Sequence, residues 1–108
     1  MIEKIFTISD SNIPVTEAVI KDDNINFMHM VFEEGGVLKT HYSNANLYMT
    51  VVKGTLSISL DDGEYRKYEK NTVLNIPFKT KMNVQNHDKD ILELYVLKTP
   101  APGNSCYK

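Results

Sequence analysis

The segment Thr55–Leu60 alternates strictly, with Thr55, Ser57 and Ser59 on one side and Leu56, Ile58 and Leu60 on the other. A period of two marks a β-strand whose faces meet different surroundings, and it predicts a wet face of hydroxyls over an apolar one. Turn residues bracket the segment, Lys53-Gly54 before it and Asp62-Gly63 after it. Asp-Gly suits the positive φ angles of a tight hairpin, so residues 47–52, 55–60 and 65–68 read as strands of two successive hairpins. The same punctuation recurs along the chain. Residues 5–8 stop at Asp10-Ser11-Asn12 and Pro14, residues 15–20 at Lys21-Asp22-Asp23-Asn24, and residues 25–32 at Glu33-Glu34-Gly35-Gly36. Residues 72–76, 81–85 and 91–97 complete the set, and no window carries a helical stripe. About ten short strands at this spacing indicate a sandwich or barrel. Antiparallel sheets close or stack to protect their edges, so the expected fold is an all-β jelly-roll barrel. One domain is expected over 1–108, with N-terminal strands in 4–20 and the barrel in about 25–97. An irregular tail over 99–108 follows, because Pro100, Pro102 and Gly103 cannot continue a sheet.

Composition narrows the function classes. The net charge of -2 is too small to steer a partner, and the lysines are scattered rather than blocked. Nucleic acid and anionic membranes are therefore not expected partners. No stretch approaches the roughly 18 apolar residues of a membrane span. Cys106 is the only cysteine, so no intrachain disulfide can form, and a reducing compartment is expected. Met1-Ile2-Glu3-Lys4 lacks the apolar run of a signal peptide, so the expected location is cytoplasmic. No serine sits in a Gly-x-Ser-x-Gly elbow, and no glycine-rich phosphate loop is present.

A frame of punctuating residues carries the strongest functional signal. Gly35 is followed by His41, Ser43, Leu47 and Gly54, and a second set runs Asn71, Pro77, Lys79, Met82 and Asn86. This spacing resembles the two motifs of the cupin superfamily, whose first runs Gly, His-x-His, Glu, Gly and whose second runs Gly, Pro-x-Gly, His, Asn. The resemblance covers about residues 25–97 and implies a double-stranded β-helix with the motif residues facing the barrel interior. It also implies a degenerate metal site. Of the four expected ligands only His41 remains, with Ser43, Leu47 and Met82 at the other three positions. An imidazole, a hydroxyl, an alkyl chain and a thioether do not make a Zn, Mn or Fe site. No cofactor is therefore expected unless His29, His87 or Glu93 contributes from another strand. At the second motif Asn71 can take the left-handed conformation of the family's glycine, whereas Lys79 departs from the pattern and predicts a different turn.

On this resemblance the barrel interior is a ligand pocket lined by His41, Ser43, Leu47, Met49, Met82 and Asn86. The expected function is metal-free binding or sensing of a small molecule, with no assigned catalytic residue. One alternative is a metal-independent isomerase, epimerase or lyase using His41 as base with Tyr48 or Tyr95 as acid. Another is a residual metal-dependent dioxygenase. His29 is expected to be structural or on the outer sheet face. Leu92, Leu94 and Val96 are expected in the core, with Glu93 and Tyr95 outside. Cupins often pair through their sheets, and residues 5–8 form an uncovered edge, so a homodimer is the expected assembly.

Overall fold

The computed structural model describes residues 1–104, which contain nine strands and no helix. The strands are β1 (Val15–Lys21), β2 (Asn26–Phe32), β3 (Val37–Tyr42), β4 (Leu47–Lys53), β5 (Thr55–Leu60), β6 (Arg66–Glu69), β7 (Val73–Ile76), β8 (Lys81–Gln85) and β9 (Leu92–Lys98). They form a five-stranded sheet, β1-β2-β9-β4-β7, and a four-stranded sheet, β3-β8-β5-β6. All pairings are antiparallel. The two sheets are the halves of a double-stranded β-helix, as the strand spacing and the motif frame both implied.

The core lies between the sheets, where each strand contributes alternate residues. On the larger sheet, Met30 pairs with Leu94 and Met49 with Val96 and Leu74. On the smaller sheet, Val84 pairs with Leu38 and Ile58. Leu47, Leu56, Ile58, Ile76, Leu92 and Leu94 are essentially without solvent contact. Residues 92, 94 and 96 of β9 point inward as their alternation predicted. Three methionines, Met30, Met49 and Met82, fill the space between branched neighbours, a use suited to an unbranched and adaptable side chain.

The turns differ from their sequence reading in instructive ways. Lys53-Gly54 does not close a hairpin, because β4 and β5 belong to different sheets and Gly54 carries the chain between them. Its φ is +80°, and a Cβ there would stand 2.3 Å from the Ile91 carbonyl oxygen. The β5–β6 hairpin turns on Asp61 and Asp62, with φ of 50° and 61°, one residue earlier than Asp62-Gly63 suggested. The Gly63 amide closes it on the Leu60 carbonyl at 2.9 Å. Asn71 is left-handed at φ 73°, as its chemistry allows, and Lys79 keeps the glycine-like conformation at φ 68°.

Two further expectations are corrected. Residues 5–8 form no strand, and among the described residues no strand pairs with them; residues 1–14 run as an arm ahead of β1. The serine face of β5 is not wet, because Ser57 and Ser59 are both buried. Ser57 lies between Gln85 and Lys67 of the flanking strands, and Ser59 lies opposite Asn83. Short hydroxyl side chains in a central strand are overgrown by longer neighbours on either side. Residues 99–104 contain no strand, and Cys106 lies outside the described residues.

Candidate functional site

Of the six residues that the motif frame assigned to a pocket, three pack in the core, two are bonded to backbone and one is exposed. Leu47, Met49 and Met82 are core residues at 1–3% exposure, each packed in the hydrophobic cluster between the sheets. Ser43 is buried and fully occupied. Its hydroxyl donates to the Pro77 carbonyl at 2.6 Å and accepts from the Thr80 amide at 2.8 Å. These bonds clip the turn that holds Lys79 left-handed. Asn86, with no exposure at all, is likewise spent on backbone. Its amide donates to the carbonyls of Phe32 and Asp90, and its side-chain oxygen accepts from the Asp88 amide. His41 is exposed, and its Nδ1 lies 2.8 Å from the Lys39 carbonyl, to which it donates.

His41 pairs with Met82, and Met82 with Leu60, so one row crosses β3, β8 and β5. With strands about 4.8 Å apart, His41 stands roughly 10 Å from Leu60. Concave space opens at the Leu60 end of that row. A cleft of about 290 Å³ is lined by Ile58, Leu60, Gly63, Glu64, Arg66 and Tyr68. Its position follows from register. Arg66 pairs with Ile58 and Tyr68 with Leu56, so both project from the core-facing side of β6, the edge strand. Tyr68 packs partly against the core, while Arg66 overhangs it. The turn beside the cleft is pinned from behind. The Lys81 amide donates to the Asp61 carboxylate at 2.9 Å, and the Lys81 ammonium meets Asp62 at 2.8 Å. The bond from Asp62 holds the Lys81 pKa above its usual value.

The sequence reading passed over these residues, although the signal was present. Arg66 is the only arginine in the chain, and a short hairpin at residues 61–63 fixes it opposite Ile58.

A second polar cluster lies on the outer face of the larger sheet. His29 has no solvent exposure, and both ring nitrogens lie 2.7 Å from a carboxylate, Nδ1 from Glu17 and Nε2 from Glu93. The ring thus bridges two carboxylates and ties β1, β2 and β9 together. Bonds from His29 and then from the Ser9 hydroxyl and amide hold the Glu17 carboxyl below its usual pKa. His29 is thus structural and on the outer face, as the sequence suggested. Glu93, expected outside, is on that face but buried because it closes the bridge.

These placements bear on the two alternative chemistries. Tyr48 and Tyr95 lie on the outer face of the larger sheet, Tyr95 against Phe27 and His29, and neither reaches His41. The acid–base pair that an isomerase reading needs is therefore not assembled. The residues also do not fit a resident metal. His29 and Glu93 are bonded to each other on the opposite sheet, and His87 bonds Gln85 and packs at a tilt against Tyr65 in a surface turn. Among the described residues no group of three or more His, Cys, Asp or Glu side chains is arranged to hold a metal ion. None of the described residues forms a helix long and apolar enough to cross a membrane.

Comparison with known proteins agrees with the geometry. No family model matches the chain. MJ0764, an uncharacterized protein of Methanocaldococcus jannaschii, is 33% identical over 103 residues, covering 94% of this chain and 89% of that protein. Its crystal structure, described as an RmlC-like cupin with a double-stranded β-helix fold, superimposes with a TM-score of 0.89 over 93% of each chain. A cupin superfamily protein of Desulfitobacterium hafniense matches the fold at a TM-score of 0.72 with 12% identity, over 86% of this chain and 83% of that one. With its strand order, its motif spacing and a relative of this identity all in agreement, the chain belongs to the cupin family.

Proposed function

We propose that this cupin is a metal-independent small-molecule binding protein whose ligand occupies the cleft of the β5–β6 hairpin rather than the barrel interior. One observation carries the reading. The positions that hold a metal elsewhere in the family are here filled by packed or backbone-bonded side chains, while concave space with convergent polar groups opens beside them. At about 290 Å³ the cleft falls just below the roughly 300–1,000 Å³ typical of ligand sites, so the occupant is a small metabolite. Leu60, lying over the buried Ile58, supplies apolar contact, and Glu64, Arg66 and Tyr68 supply orientation.

A ¹⁵N-labelled sample titrated with a panel of neutral and charged metabolites tests this. Amide shifts should cluster at Leu60, Gly63, Glu64, Arg66 and Tyr68. Shifts clustered around His41 and Ser43, or none from any compound, would overturn the placement. Metal analysis of protein purified without chelator tests the other half; stoichiometric Fe, Mn, Ni, Zn or Cu would overturn it.

A further inference from the structure

We infer that the cleft recognises a small hydroxylated anion, a carboxylate or phosphate ester, through the Arg66 guanidinium. This rests on the placement of the ligand in that cleft. Three groups on its wall have hydrogen-bonding capacity to spare. Among the described residues neither the Arg66 guanidinium, the Glu64 carboxylate nor the Tyr68 hydroxyl has an ion pair or hydrogen bond to another residue. The other acids of the hairpin are committed, since Asp61 accepts from the Lys81 amide and Asp62 pairs with the Lys81 ammonium. In a chain of net charge -2 the single arginine thus keeps its fork free. A guanidinium presents parallel N–H donors that match the two oxygens of a carboxylate or phosphate, which a lysine cannot do.

The remaining walls set the rest of the ligand. Glu64 stands two residues from Arg66 and repels a second anionic group, so the ligand carries one. An ionised carboxylate accepts hydrogen bonds only, and a phenol can donate or accept. Glu64 and Tyr68 therefore suit hydroxyls on the ligand. The carbon chain lies on Leu60.

The experiment uses three matched probes, glycerate, glycerol phosphate and neutral glycerol, each followed by amide shifts at Gly63, Glu64, Arg66 and Tyr68. At least one anion should bind on the order of tenfold or more tightly than glycerol, the worth of a charged hydrogen bond. Comparison of the two anions separates carboxylate from phosphate. Arg66→Gln should remove the preference for the anion. Arg66 also guards an edge strand, because an inward-pointing charge discourages pairing with another chain. Arg66→Lys separates the two roles, since it keeps the guarding charge and loses the fork. It should remain unaggregated yet bind the anion several-fold more weakly. Anion binding that survives unchanged in Arg66→Gln, or glycerol binding as tightly as both anions, overturns the inference and leaves the cleft as a site for neutral ligands. If neutral members of the wider panel shift the cleft amides and neither anion does, the inference alone fails. If no compound shifts them, the cleft reading fails with it.

Discussion

At the scale of single residues, backbone conformation decides more than side-chain identity. Gly35 and Gly54 share a positive φ, 79° and 80°, yet only Gly54 is crowded. A Cβ at Gly35 meets nothing within 4 Å, whereas at Gly54 it meets the backbone of Ile91 and Leu92. Gly35→Ala should therefore cost only the strain of a left-handed residue, about 1–2 kcal/mol. Gly54→Ala should cost clearly more, since backbone must move, and urea denaturation of the two variants measures the difference. Near-equal losses would mean that the strands yield easily around β9. Turn residues were legible in the sequence because their chemistry is local. Asn71 in a left-handed turn is such a case. Lys79 in the same conformation was not legible, because what holds it is distant in sequence: the Ser43 hydroxyl gripping Pro77 and Thr80. The same distance hid the partners of Ser43, and for Asn86 the bond to Phe32, so family spacing suggested a pocket where both side chains are bonded to backbone.

At the scale of elements, β1 is an edge strand held partly by charge. Glu17 reaches across to His29 and is also gripped by Ser9 of the arm. Since the fold lowers the Glu17 pKa, its contribution to stability is present above the ordinary value of 4.5 and is lost as pH falls through the lower folded value. The urea midpoint should therefore drop in the acid range below about pH 4.5. Glu17→Gln should lower the midpoint at pH 7 and flatten that acid limb. An unchanged acid limb in the variant would assign the acid sensitivity to other carboxylates. Alternation placed β5 and β9 correctly because each has one consistently aliphatic face. It could not tell that the opposite faces were also covered, since burial of Ser57 or Glu93 depends on neighbouring strands rather than on its own. The cleft was missed for a related reason: it arises from the pairing of Arg66 with Ile58, a property of two strands together.

At the scale of the whole molecule, the arm stands out. Ile2, Ile5, Phe6, Ile8 and Ile13 are all exposed, an apolar surface that a soluble chain seldom leaves uncovered. The homodimer proposed from the sequence gives that arm an occupant, a second copy pairing with it through the larger sheet. Analytical ultracentrifugation should then find dimers, and removal of residues 1–13 should yield monomers that keep the cleft. A monomeric parent chain would refute the pairing. The packed interior has a different consequence, one of volume. Pressure unfolds proteins in proportion to the internal voids that unfolding eliminates, typically about 20–100 mL/mol. Met30, Met49 and Met82 pack among the branched side chains between the sheets, and such adaptable fillers leave little void to collapse. The unfolding volume change measured by high-pressure NMR should lie near the small end of that range, so pressure should be a weak denaturant of this barrel.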